Sequence, residues 1–270
     1  MPELPEVETT LRGILPHLKH QLIEKVVVRQ PQLRWPIDPA IEQLANQQII
    51  SCERRGKYII MNTTKGALIW HLGMSGSMRI LNSEIPPEKH DHVDLVLKNN
   101  LILRYTDPRR FGACLYTLSN PHAHKLITHL GVEPLSSAFN TEHLYKACKS
   151  KQVTIKQLIM NSHIVTGVGN IYACESLFAS GINPKRAAGK ISKQRISNLV
   201  AHIKLILKHA IKQGGTTLKD FTQSDGKPGY FKQQLNVYGR KDQPCPKCKA
   251  PIKVITQAQR STFYCNQCQR

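Results

Sequence analysis

Apolar residues recur along this chain with two different periods, and the change between them divides it. Val7, Leu11, Ile14, Leu15 and Leu18 follow helical spacing, and Pro5 suits the first turn of such a helix. The period then shortens. Leu22–Arg29, Gln48–Arg55, Lys57–Met61, Ala67–Leu72, Ser77–Leu81, His92–Leu97, Leu101–Tyr105 and Gly112–Leu118 are short runs rich in Ile, Val, Leu and Tyr. Gly, Asn and Pro separate most of them, and Asn99-Asn100 reads as a tight hairpin turn. The pattern predicts a helix followed by an antiparallel β-sandwich or barrel. After about residue 120 it becomes helical again, with helices expected over His122–Leu130, Thr141–Cys148, Thr154–Met160 and Asn170–Phe178. A longer helix should follow Ser192 and end at Gly214-Gly215. Gln223–Gly229 is too polar for a core and is expected to be a mobile loop.

The longest apolar run is four residues, whereas a bilayer span needs about 20, so no transmembrane helix is expected. The N-terminus lacks the apolar stretch of a secretory signal. Charge sharpens the division. Residues 1–130 carry 16 basic and 12 acidic side chains, a net +4, while residues 151–270 carry 20 and 4, a net +16. Such an excess points to a polyanion: nucleic acid, an anionic membrane or a heparin-like sugar.

Eight cysteines split into two groups. Cys52, Cys114, Cys148 and Cys174 are scattered, as expected of buried thiols in a reducing, cytoplasmic compartment. Cys245 and Cys248 are spaced C-x2-C, and Cys265 and Cys268 repeat the spacing after sixteen residues. Two such knuckles close a tetrahedral site with no open position, so one structural Zn2+ is expected rather than disulfides or an iron–sulfur cluster.

The N-terminal run Met1-Pro2-Glu3-Leu4-Pro5-Glu6 offers a second chemistry. Removal of Met1 leaves Pro2 a free secondary amine, and a terminal amine titrates near pH 8, so part of it is neutral at physiological pH. A neutral amine can attack an aldehydic sugar carbon. From spacing alone, however, these residues are better read as a helix start, with Glu3 and Glu6 at its positive end.

Seven further segments carry a resemblance. They are Arg55–Tyr58, His71–Gly76, Lys89–Asp94, Thr106–Gly112, Gly167–Ala173, Gln223–Phe231 and Ala258–Cys265. Together with MPELPEVET, and in this order along the whole chain, they resemble the formamidopyrimidine-DNA glycosylase family, bacterial base-excision enzymes for oxidised purines. The resemblance implies a bifunctional glycosylase and abasic-site lyase acting as a monomer on double-stranded DNA that contains oxidised purines or abasic sites, with no membrane partner and with association to the bacterial nucleoid. It implies that Pro2 is the nucleophile, that Glu3 relays a proton, and that Glu6 lines the base pocket. Lys57 would donate a proton during elimination, although without the resemblance it reads as a solvated lysine. Arg260 would assist the second elimination from the turn of the zinc hairpin. Met74, Arg109 and Phe111 would fill the gap left by an extruded base, and His90, Lys151, Asn170 and Tyr230 would contact DNA. Asn170 would cap a helix whose first amides hold a phosphate, and Lys156 would add a phosphate contact or be solvated. Asn161 stands where an acidic residue is expected.

The implied architecture is α+β and multidomain. Residues 1–130 would form the N-terminal helix and catalytic β-sandwich, 131–150 a hinge, 151–234 a helix–two-turn–helix domain and 235–270 the zinc finger. The nearest rival is an endonuclease VIII-type enzyme for oxidised pyrimidines. A rival of another class is a non-catalytic zinc-ribbon DNA-binding protein.

Overall fold

The computed structural model describes residues 2–215 and 234–270. Tyr230 and the Gln223–Phe231 stretch therefore lie outside the described residues. The chain divides into two compact units, Met1–Thr128 with Gln213–Lys232, and His129–Lys212 with Gln233–Arg270.

The first unit opens with helix α1, Leu4–Leu18. Eight strands follow: β1 Ile23–Val28, β2 Ile49–Arg55, β3 Tyr58–Thr63, β4 Ala67–His71, β5 Ser77–Asn82, β6 Asp91–Leu97, β7 Leu101–Thr106 and β8 Ala113–Thr117. They form two antiparallel four-stranded sheets, ordered β1-β6-β7-β5 and β2-β3-β4-β8. Both sheets contribute to one core. Val93, Leu95 and Leu103 from one join Ile59, Met61 and Leu68 from the other, and the rings of Trp70 and Tyr105 lie 5.4 Å apart. The apolar stripe of α1, Val7, Leu11, Ile14 and Leu18, packs into the same cluster. Asn100 takes a left-handed φ of 63° in the β6–β7 turn, a conformation that asparagine tolerates well.

Strand β6 is buried on both faces although its sequence begins Asp-His-Val-Asp. Val93, Leu95 and Leu97 enter the core. On the other side Asp94 accepts two bonds from the Arg104 guanidinium, at 3.0 and 2.9 Å, and Arg104 also donates to the carbonyls of Ile85 and Pro86. Burial alone would raise the Asp94 pKa, but the hydrogen bonds from Arg104 and Arg29 hold it below its ordinary value.

The second unit contains α3 (Thr141–Cys148), α4 (Ile155–Ile159), α5 (Asn170–Ala179), α6 (Lys193–Lys212) and the hairpin β9 (Lys253–Gln257) with β10 (Arg260–Tyr264). The helix expected over His122–Leu130 is not continuous. A 3-10 turn, Pro121–Ala123, precedes one α-turn, α2, at Lys125–Thr128. His124 interrupts them in an extended conformation, and its own Nδ1 accepts the amide of Leu126. Among the described residues no helix is long and apolar enough to cross a membrane.

Candidate active site

Pro2, Glu3 and Glu6 are buried together at the head of α1. The Glu3 amide donates to Glu6 Oε2 at 2.8 Å, which folds the second carboxylate back over the helix start. A Cβ on Gly215 would lie 3.0 Å from Glu6 Oε1, so the chain passes close to this carboxylate.

Lys57 is half-buried in the two-residue turn between β2 and β3. Gly56 opens that turn at φ +60°, a value that favours glycine. Lys57 is thus on a hairpin tip and not within a strand. At the end of β4, His71 Nδ1 accepts the amide of Gly73 at 3.0 Å. Burial, reinforced by the nearby charges of Lys57 and Arg34, lowers the His71 pKa to about 4. The imidazole is therefore neutral at physiological pH and keeps its Nε2–H as a donor. His71 was not among the residues singled out from sequence, although its motif was; what marks it is the neighbouring lysine and the backbone bond, both set by folding.

Met74 lies half-buried in the turn after β4, and Phe111 is 48% exposed between β7 and β8. The exposed Arg109 guanidinium sits 5.1 Å from the Phe111 ring centroid. These two loops touch through backbone: Gly73 has φ +63°, and a Cβ there would fall 2.4 Å from the amide nitrogen of Gly112. His90 is half-buried just before β6, its ring edge-on to His92 at 6.4 Å.

The second unit holds the remaining candidates. Lys151 is exposed and lines, with Lys149 and Lys190, a cleft of about 390 Å³. Gly169, not Asn170, is the cap of α5, and Asn170 is the first helical residue. The Asn170 side chain instead donates to the Ser261 carbonyl at 2.9 Å. Lys156 is neither solvated nor an exposed arm. It is 1% exposed and donates to Thr262 Oγ1 at 2.6 Å and to the Ser261 carbonyl at 3.4 Å. Both side chains thus fix the start of β10, where Arg260 is exposed immediately after the Ala258-Gln259 turn. Both turn residues have left-handed φ, 45° and 58°, which matches the strand twist of a tight hairpin. Asn161 Oδ1 accepts the amide of His163 at 3.0 Å, so its amide side chain closes a local turn.

The sulfur atoms of Cys245, Cys248, Cys265 and Cys268 lie within 4.8 Å of one another. Tetrahedral zinc with bonds of about 2.3 Å requires sulfurs about 3.8 Å apart, so the donor set fits zinc. Burial raises the Cys245 thiol, but the amides of Cys248 and Lys247 and the neighbouring thiols bring it down to about 7. Burial and the other thiols push Cys265 upward and Cys268 up to about 12, so a bound cation must displace protons from the cluster. The module shares a core with α5: Cys174 and Phe178 pack with Val237, Ile252 and the cysteines. Glu175, another residue not singled out from sequence, accepts the amides of Asn236, Val237 and Tyr238, each at 2.9 Å.

Three family models match the chain: the formamidopyrimidine-DNA glycosylase N-terminal domain at residues 1–114, the formamidopyrimidine-DNA glycosylase H2TH domain at 130–222, and the zinc finger found in FPG and IleRS at 242–270. The formamidopyrimidine-DNA glycosylase of Escherichia coli O9:H4 (strain HS) is 56% identical over 270 residues, covering 100% of both chains. Among solved structures, a Lactococcus lactis Fpg variant with Fapy-dG-containing DNA superposes with a TM-score of 0.92 at 30% identity, covering 100% of each chain. A complex of Lactococcus lactis Fpg with abasic-site DNA gives 0.90 at 30% identity over the same coverage.

Proposed function

The chain belongs to the formamidopyrimidine-DNA glycosylase family, and from that membership we propose how its own residues carry out the reaction. It is a DNA glycosylase and abasic-site lyase of base-excision repair, acting on duplex DNA. Once Met1 is removed, the Pro2 nitrogen attacks C1′ of the damaged nucleoside, and the bond from C1′ to the base breaks as the base leaves with a proton. Glu3, buried beside Pro2, relays protons as the sugar ring opens to an iminium. Loss of a proton from C2′ then expels the 3′ phosphate, and loss of the C4′ proton expels the 5′ phosphate. Water hydrolyses the iminium to free the Pro2 amine and release the unsaturated sugar aldehyde, leaving a one-nucleotide gap. Glu6 lines the base pocket.

Lys57 and Arg260 serve the eliminations and hold phosphates, and His71 adds a neutral donor beside Lys57. Met74, Arg109 and Phe111 occupy the space of the extruded base, a role that suits an apolar side chain and a ring on exposed loops. His90, Lys151, Asn170 and Tyr230 contact the DNA. Zinc, held by four cysteines with no open position, supplies structure to the hairpin that carries Arg260. The functional regions we propose are a catalytic region at 1–130, a hinge at 131–150, a helix–two-turn–helix region at 151–234 and a zinc finger at 235–270, the last three falling within one compact unit apart from Gln213–Lys232. In a bacterial cell such a chain works on nucleoid DNA.

The observation that carries this reading is the burial of Pro2, Glu3 and Glu6 in one cluster at the N-terminus. Borohydride trapping on an abasic-site duplex tests it, and a non-catalytic binder would give no adduct. Side-by-side excision from 8-oxoguanine and thymine-glycol duplexes tests the preference for purines over the pyrimidine lesions of endonuclease VIII-type enzymes.

A further inference from the structure

We propose that Asp107 is the positioning residue of the base-extrusion loops, holding the segments that bear Met74, His90, Arg109 and Phe111 in one fixed arrangement. The assignment rests on the reading of Met74, Arg109 and Phe111 as the extrusion set.

Asp107 is fully buried, at 0% exposure. Its carboxylate is surrounded by donors from both loops. Oδ1 accepts Ser75 Oγ at 2.6 Å and the Arg109 amide at 3.3 Å. Oδ2 accepts the Gly112 amide at 2.8 Å and the Tyr105 hydroxyl at 3.1 Å. Ser75 directly follows Met74, and Arg109 and Gly112 bracket Phe111. The main chain of Asp107 reaches the third segment. Its amide donates to the His90 carbonyl at 3.0 Å, and its carbonyl pairs with His92 Nε2 at 2.8 Å.

A buried carboxylate is costly unless its oxygens are met by donors, and here four donors meet them. Removing it would leave the Ser75 hydroxyl and the Gly112 amide without this acceptor in the interior. The loops need such backing because unstacking a base costs a few kcal/mol. A wedge on yielding loops would bend away before the bases part. An abasic nucleotide has no base to unstack, so its cleavage makes less demand on the same loops.

The test uses the full-length zinc-loaded enzyme and single-turnover rates on two duplexes, one with 8-oxoguanine and one with a pre-formed abasic site. Asp107→Ala should lose about tenfold or more on 8-oxoguanine and under about threefold on the abasic site. Ser75→Ala should shift the ratio in the same direction by about threefold. Asp107→Asn should restore most of the rate. Its carbonyl can keep the Gly112 amide and the Tyr105 hydroxyl, and its NH2 can face Ser75, whose hydroxyl reverses to accept while the Arg109 amide keeps its bond to Ser75 Oγ at 3.2 Å.

Equal losses on both substrates, or no rescue by Asn, would overturn the positioning role. If Asp107→Ala fails to fold by thermal melt, Ser75→Ala decides, and an unchanged ratio there overturns it. Phe111→Ala separates this proposal from the reading beneath it. A ratio that moves with Phe111→Ala and not with Asp107→Ala removes the positioning role alone. A ratio that moves with neither removes the extrusion reading.

Discussion

The Arg54 guanidinium donates to the Glu8 carboxylate at 2.8 Å and, through its other arm, to the Gly56 carbonyl at 3.0 Å. One arginine thus joins the helix that begins at Leu4 to the turn that presents Lys57. Pro2 and Lys57 are far apart in sequence, and this link fixes the two elements that carry them against each other. Burial raises the Glu8 pKa, but the hydrogen bonds and charges of Arg54 and Arg12 more than offset it, so the net shift is downward from 4.5.

A lowered carboxylate pKa stabilises the fold above the unfolded value and loses that contribution as pH falls through the folded one. Urea titrations should show the wild type losing about 1 kcal/mol more between neutral and acidic pH than Glu8→Gln, a small figure because the pair is partly solvated. Abasic-site cleavage by Glu8→Gln should fall a few-fold through looser placement of Lys57. Identical acid profiles for the two proteins would show that the pair contributes nothing.

The chemistry at Pro2 requires a free amine. Retained Met1 or an uncleaved N-terminal tag makes that nitrogen an amide, whose lone pair is delocalised into the carbonyl. Such protein should bind duplex DNA but neither excise a base nor form a borohydride-trapped adduct. Preparations with and without Met1, confirmed by intact mass, make the comparison. Full trapping by the Met1-retaining form would shift suspicion to Lys57.

Loss of zinc should reach beyond the hairpin. Because Cys174 and Phe178 share a core with the zinc module, Cys248→Ser or strong chelation should raise hydrogen exchange in Asn170–Ala179. Duplex affinity should drop at least about tenfold, while the β-sandwich of the first unit keeps its protection. Unchanged affinity in metal-free protein would refute the role given to Arg260 and its hairpin.

Phe111→Ala should impair excision of 8-oxoguanine about tenfold and leave cleavage of a pre-formed abasic site within about threefold. Duplexes that differ only at the lesion supply the measurement, and parallel losses would assign Phe111 to binding in general.

Local pattern was enough for the elements. The helical stripe Val7–Leu18 and the eight short strands are legible because burial of one face imposes a period, and that period is written in consecutive residues. The zinc ligands are legible for a similar reason, since a chelating knuckle is a short-range structure. Where a competing local bond intervened, the pattern misled: the His124 ring broke the helix expected over His122–Leu130. What the sequence did not disclose is which polar residues the fold would bury. Asp107, Lys156 and Glu175 look like surface groups in the sequence, yet each is at most 2% exposed. Lys156 meets its partner Thr262 from 106 positions away, and Glu175 meets Val237 from 62 away. Partners that distant are chosen by tertiary packing, because a buried charge is tolerated only where the folded chain brings donors or acceptors to it.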